Sequence, residues 1–469
     1  MSANKPFDKS SFIILVALLT SLALGSGIYF SDLSADIALT AGITLFVAIL
    51  WVTEALPIPA TSLIPFALFP LAGVLTHAEA ASSLGSHVII LLMAAFMLSK
   101  GLEKANLHQR FAIYMLRVTG AGSPLKLILS FMLTTAILSM WISNTATILM
   151  MLPMAMAIIN AMENPRFGVA LILGIAYAAS LGGVGTPIGT PPNIIFMSVY
   201  EETQGHEYSF IEWMKTGVPI VLVSIPLMAL WLARGLTQVG NIALPQPGKW
   251  TVAEKRVLAI FGTVAMAWVF RPFWSAWLGI TTISDSTIAV AGVVAMFMTN
   301  NGETTPATET RKGQHDKLLD WKTANNIPWG MLLLFAGGIC IAKAFKSSGL
   351  SVLMGEWLTG LSTLPVIFLI LGICLFVTFL TEITSNTATA TLLMPILAAA
   401  GFAVGVDPKL LMIPAAISAS CAFMLPVATA PNAIAYSTEK FDIKTMAREG
   451  IVLNVIVALV VTGVCYLTL

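Results

Sequence analysis

Two polar triplets sit inside some of the most apolar stretches of this chain. Ser143-Asn144-Thr145 opens the run SNTATILMMLP (residues 143–153), and Ser385-Asn386-Thr387 opens SNTATATLLMP (residues 385–395). Each is followed by a proline break that ends in asparagine, GTPPN at residues 189–193 and ATAPN at residues 428–432. The triplets lie 242 positions apart and the breaks 239, so the chain reads as a duplication. Hydroxyls and amides in hydrocarbon cost free energy unless each finds a partner. The bland role is structural, with Ser, Asn and Thr capping hairpin helices or holding helices together. Recurrence at corresponding places, each time ahead of an apolar helix, favours a ligand seat. At a hairpin tip the first turn of the second helix has unpaired N–H groups and the positive end of its dipole, which suit a carboxylate. The first helix ends there with free carbonyls, and these join Ser, Thr and Asn oxygens as hard ligands for a bare alkali cation. Proline removes a backbone donor and breaks the helix, while Gly or Ala lets another backbone approach. A simple Pro-kinked helix is the alternative for the breaks, and the asparagine after each favours a lined site.

These motifs need a membrane scaffold. Of 469 residues, 57% are hydrophobic and 10% charged, against roughly a quarter charged in a soluble domain. That composition excludes a soluble globule, and a net charge of +1 gives no nucleic-acid partner. Residues 11–30 form an uncharged run of spanning length without a clear cleavage site, so no signal peptide is expected. Further apolar segments fall near 37–53, 60–76, 86–99, 217–233, 257–278, 286–299, 329–345 and 451–469. Four longer stretches, at 127–162, 167–200, 357–406 and 410–438, are interrupted by polar, Gly or Pro clusters, as re-entrant hairpins or broken helices are. The four cysteines are scattered through apolar segments and read as buried inert thiols. Gly182-Gly183-Val184-Gly185 lacks the Lys-Ser/Thr of a phosphate loop.

Lys and Arg accumulate on the cytoplasmic side of membrane proteins. With the N-terminus inside and each interrupted pair counted as hairpin then broken span, 19 basic residues fall inside and 5 outside. The expected fold is therefore an all-α polytopic membrane protein of about eleven transmembrane helices plus two re-entrant hairpins, with two broken helices. An odd number of crossings per copy makes the repeats inverted, an arrangement that places transporter sites where broken helices meet. The expected divisions are an N-terminal helix (1–36) and a first repeat at 37–233, with its hairpin near 124–160 and broken helix near 168–200. A cytoplasmic linker (234–256) leads to a second repeat at 257–469, with its hairpin near 357–405 and broken helix near 410–438. The chain is expected in the cell inner (plasma) membrane, with its N-terminus cytoplasmic and C-terminus outside.

The paired triplets, the TEITSNTATATLLMP run, the paired Pro-Asn breaks and TEALPIPATSLIP at residues 53–65 closely resemble the divalent anion–sodium symporter family. The resemblance covers essentially the whole chain. It implies carriage of succinate, malate, fumarate or citrate with sodium ions, by a homodimer whose transport domains move as elevators. It implies one sodium at Ser139, Ser143, Asn144 and the Gly189 backbone, and a second at Thr381, Thr384, Asn386 and the Ala428 backbone. Substrate carboxylates would meet Asn144, Thr145, Asn386 and Thr387, with Thr190, Pro191, Thr429 and Ala430 closing the cavity. Glu382 stands where the first copy has Met140, either capping or pairing helices or tuning the cation.

No Arg or Lys lies in either motif, so sodium and helix ends must neutralise a dianion. A sodium-independent exchanger, or a sulfate or citrate carrier of the same fold, remains the alternative. No catalytic residues are expected, since HExxH, GxSxG and paired in-membrane aspartates are absent from the sequence. A channel would not need paired anion and cation seats.

Overall fold

An apolar run crosses hydrocarbon only if its backbone amides are satisfied internally, which here means helices. The computed structural model describes residues 9–31, 33–119, 123–161, 164–236, 248–280, 282–304, 315–358 and 364–469, and these are mostly helical. The first half holds α1 (Lys9–Tyr29), α2 (Ala35–Thr53), α3 (Ile58–Thr61), α4 (Ile64–Leu71), α5 (His77–Leu84) and α6 (His87–Lys104). It continues with α7 (Leu107–Thr119), α8 (Pro124–Ser139), α9 (Asn144–Ala161), α10 (Pro165–Gly182), α11 (Pro191–Gln204) and α12 (Phe210–Leu232). The second half holds α13 (Val252–Val269), α14 (Arg271–Leu278), α15 (Asp285–Met298), α16 (Trp321–Ala324), α17 (Trp329–Ser348) and α18 (Leu350–Leu358). It ends with α19 (Val366–Thr381), α20 (Asn386–Val404), α21 (Lys409–Ala419), α22 (Ala430–Tyr436) and α23 (Ile443–Thr468). Side-chain caps set several starts: Ser123, Asn164 and Asp442 each accept an N–H from the first turn of α8, α10 and α23.

Among the described residues, eight helical segments are long and apolar enough to cross a bilayer, or nine with α13 and α14 taken as one broken span. Six shorter apolar helices accompany them, and several apolar segments are broken. The segment near 60–76 is cut into α3 and α4 just before Pro65. The segment read as one span at 257–278 turns through 79° between α13 and α14. Pro272 cannot continue the ladder there, and Arg271 is anchored to Asp285 at 2.9 Å and to Glu207 at 2.9 Å. The all-helical expectation has one exception, an antiparallel ribbon of β1 (Asn300–Thr304) and β2 (His315–Lys317). Its polar sequence carried no apolar alternation to reveal it.

The expected hairpins fall on α8/α9 and α19/α20, with residues 359–363 outside the described residues. Helices α8 and α19 are each 16 residues, roughly 24 Å at 1.5 Å per residue, short of a hydrocarbon core of roughly 30 Å. The expected broken helices correspond to α10/α11 and α21/α22. Of the expected linker, residues 237–247 lie outside the described residues, as do residues 1–8 of the N-terminal segment. Every residue of α10 from Ala170 to Gly182 is buried, which places this helix at the centre. Helix α11 packs on α20 and α21, while α22 packs on α9 and α10. Each half thus lays the second segment of its broken helix against the hairpin of the other. All four cysteines are free and buried.

Candidate substrate and cation site

The two hairpin tips share one construction. Helix α8 ends at Ser139, whose Oγ lies 2.6 Å from Asn144 Oδ1 at the start of α9 and 2.6 Å from Ala179 O in α10. Helix α19 ends at Thr381, whose Oγ1 lies 2.5 Å from Asn386 Oδ1 at the start of α20 and 3.1 Å from Ala419 O in α21. One buried hydroxyl therefore ties each tip to the end of the first segment of its own broken helix.

The breaks are braced alike as well. An interrupted helix strands carbonyls without partners, and a buried asparagine supplies two donors to them. Asn193 Nδ2 donates to Gly183 O (3.0 Å) and Thr186 O (2.8 Å). Asn432 Nδ2 donates to Ala422 O (2.9 Å) and Leu425 O (3.0 Å). Both asparagines are fully buried and hold the breaks open from behind. The first break also needs glycine: a Cβ on Gly183 would fall 2.7 Å from Gly189 O and 3.0 Å from Asn144 Oδ1. The two breaks meet each other, with Thr190 Oγ1 3.2 Å from Ser420 Oγ.

Asn144 Oδ1 faces oxygens alone: Ser139 Oγ at 2.6 Å, Ala179 O at 3.2 Å and Gly189 O at 3.3 Å. Turned over, the amide donates Nδ2 to all three and satisfies both its ends; a hard cation seated here would instead draw the oxygen inward and complete a neutral oxygen cage. Of the residues expected at the first cation, Ser139, Asn144 and Gly189 meet in this cage. Ser143 Oγ instead accepts from Ala146 N (3.2 Å). In the second half Thr381 and Asn386 meet, whereas Thr384 Oγ1 donates to Leu380 O (2.8 Å) and pairs with Thr389 Oγ1 (2.7 Å).

Residues 143–145, 189–191, 384–387 and 428–430 line a single cavity of about 740 Å³. All the expected substrate residues are on this wall: Asn144, Thr145, Thr190, Pro191, Asn386, Thr387, Thr429 and Ala430. Ser139 and Thr381 stand behind it. Helices α9 and α20 begin at the cavity and aim their positive ends into it. Trp51, Glu54, Lys100, Glu103, Trp141 and Asn326 also reach the wall, and none was singled out as a ligand from sequence. Lys100 is held by Glu103 at 2.6 Å, a spacing of three along α6. That i,i+3 pair at the end of an apolar helix, and Glu54 within TEALP, were the available signals. Glu54 caps α2 in the left-handed region (φ 50°).

Glu382 stabilises the second break. Its Oε1 accepts from Phe423 N (2.7 Å), Met424 N (2.9 Å) and Asn454 Nδ2 (2.7 Å), and Oε2 accepts from Leu425 N (3.0 Å). Three successive backbone N–H groups form a nest around the carboxylate. The capping role weighed for this residue is the one its geometry shows. The first break is held differently: Thr186 Oγ1 donates to Met140 O, and Trp213 Nε1 to Val184 O (2.7 Å).

A family model described as citrate transporter matches residues 48–409. The sodium-dependent dicarboxylate transporter SdcS of several Staphylococcus aureus strains is 40% identical over 491 residues, covering 99% of this chain and 92% of that protein. The crystal structure of the Alcanivorax borkumensis YdaH transporter aligns with a TM-score of 0.58 over 98% of this chain and 97% of that one. At 13% identity, that likeness is one of fold.

Proposed function

The chain belongs to the citrate transporter family, and on that premise we propose a secondary active transporter that imports C4-dicarboxylates such as succinate, malate and fumarate with sodium. The carrying observation is the convergence of two hairpin tips and two helix breaks, from both halves, on one cavity of about 740 Å³. Among the described lining residues the one cation, Lys100, is already paired, and Glu54 and Glu103 add negative charge. Helix ends supply about half a charge each, so two tips leave a dianion under-compensated. Sodium beside Asn144 and beside Asn386 makes up the difference and couples the two ligands. The 40% identity to carriers whose name specifies sodium and dicarboxylate favours symport over sodium-independent exchange.

In this reading the cation residues are Ser139, Ser143, Asn144 and Gly189 in one half and Thr381, Thr384, Asn386 and Ala428 in the other. The matched tip and break contacts support two inverted repeats. The basic-residue distribution supports a cytoplasmic N-terminus and an outer C-terminus in the plasma membrane. The repeats would carry the cavity across the membrane as an elevator within a homodimer. Purified protein in liposomes, given an inward sodium gradient and labelled acids, tests the function. Uptake of succinate should need sodium and should be competed by malate and fumarate. Equal uptake with choline in place of sodium would refute symport.

A further inference from the structure

At one end of the bundle, away from the cavity, three arginines from three helices surround a recess of about 450 Å³: Arg166 of α10, Arg234 just after α12, and Arg448 of α23. Glu449, only 9% exposed, organises two of them, with Arg234 Nη2 at 2.6 Å and Arg448 Nη2 at 3.1 Å. Trp231 Nε1 donates to the same carboxylate at 2.9 Å, and the Arg234 guanidinium stacks 3.9 Å from the Trp231 ring centre. Glu449 and Trp231 thus fix Arg234 in the wall, while Arg448, 75% exposed, stands at the rim. Arg166 has no hydrogen-bonding or ionic partner among the described residues, so three positive groups face one negative group.

The recess opens, through the shared Arg234, into a groove of about 510 Å³ on the membrane-facing side of α12 and α23. Leu227 and Leu230 of α12 and Ile456, Leu459 and Val460 of α23 wall this groove. A positive pocket continuous with an apolar furrow is complementary to one kind of molecule, a lipid with an anionic headgroup. Basic pockets between helices at the membrane surface take such headgroups, and Trp231 sits at the junction where amphipathic rings are favoured.

We propose that this recess binds an anionic glycerophospholipid, its phosphate between Arg166 and Arg448 and one acyl chain along the α12–α23 groove. The site requires only that the chain lie in a bilayer, so it stands or falls separately from sodium-coupled uptake. The test is native mass spectrometry of detergent-purified protein titrated with phosphatidylglycerol, cardiolipin or phosphatidylcholine, on wild type and Arg166→Gln/Arg448→Gln. One basic residue near the surface is worth about five-fold in affinity, so the double variant should retain anionic lipid about 25-fold less well. Wild type should prefer phosphatidylglycerol and cardiolipin over phosphatidylcholine and protect them from displacement by inorganic phosphate. Equal retention of phosphatidylcholine, unchanged retention by the double variant, or displacement by inorganic phosphate at comparable concentration would each overturn the assignment. If the double variant does not fold, the wild-type titration against phosphatidylcholine decides alone.

Discussion

Replacing Glu382 with glutamine changes one oxygen for one NH2 group in a site that presents only donors. With the amide carbonyl at the Oε1 position, the variant side chain would still accept from Phe423, Met424 and Asn454. Its NH2 would then face the Leu425 N–H, which in the native protein donates to Oε2 at 3.0 Å. A buried N–H left without an acceptor costs about 1–3 kcal/mol, and each remaining bond drops from charge-assisted to neutral strength, about 0.5–1 kcal/mol apiece. Glu382 is 3% exposed, so solvent offers little relief, and the expected loss is about 3–5 kcal/mol. That is a large part of the roughly 5–15 kcal/mol typical of a folded domain. The loosened segment carries Ala428 and Thr429, so the damage should appear at the second cation seat. Thermal unfolding in detergent should shift down by several degrees, and half-saturating sodium for succinate uptake should rise at least ten-fold. Glu382→Met, which copies the first half, should be no better, because Leu425 lacks the hydroxyl that Thr186 donates to Met140 O. Wild-type melting together with wild-type sodium dependence in Glu382→Gln would refute the reasoning.

Other outcomes follow from the same geometry. Gly183→Ala puts a methyl 2.7 Å from Gly189 O, so sodium-dependent uptake should fall more than ten-fold while the protein still elutes as a folded species; normal uptake would remove Gly183 from the first seat. Asn144→Ala and Asn386→Ala each lose a ligand worth about 1.5–3 kcal/mol, and either folded variant with wild-type uptake would return the triplets to a structural role. Calorimetry should show succinate binding tighter in saturating sodium, and sodium binding tighter in succinate by the same factor. An anion affinity indifferent to sodium would favour the exchanger.

Much of the site was legible because its chemistry conflicts with its surroundings. Ser-Asn-Thr in hydrocarbon has to be explained, and finding it twice narrowed the explanation. The breaks were legible through proline, which leaves a backbone signature whatever the tertiary fold. The role of Asn193 and Asn432 was not, because whether an amide faces a cavity or a stranded carbonyl depends on backbone direction after the break. Lys100, Glu103 and Glu54 resembled ordinary helix-end charges, and only packing brings them to the cavity wall. How the apolar segments divide was less legible, because hydropathy does not register a 79° turn. At α13–α14 that turn depends on Arg271 reaching Glu207 and Asp285, residues distant in sequence.

The hydroxyl pair Thr190–Ser420 joins two positions 230 residues apart, one from each copy of the duplication. Its consequence is genetic as much as mechanical. Neither copy encloses the cavity alone, so a change in one wall has to be met by the other. A substitution at Thr190 should alter what is tolerated at Ser420, and a double-mutant cycle should show non-additive effects despite the separation. Severing the chain within residues 237–247 and producing the halves together extends the same idea: each fragment alone would present an unfinished wall, and transport would return only on reassembly.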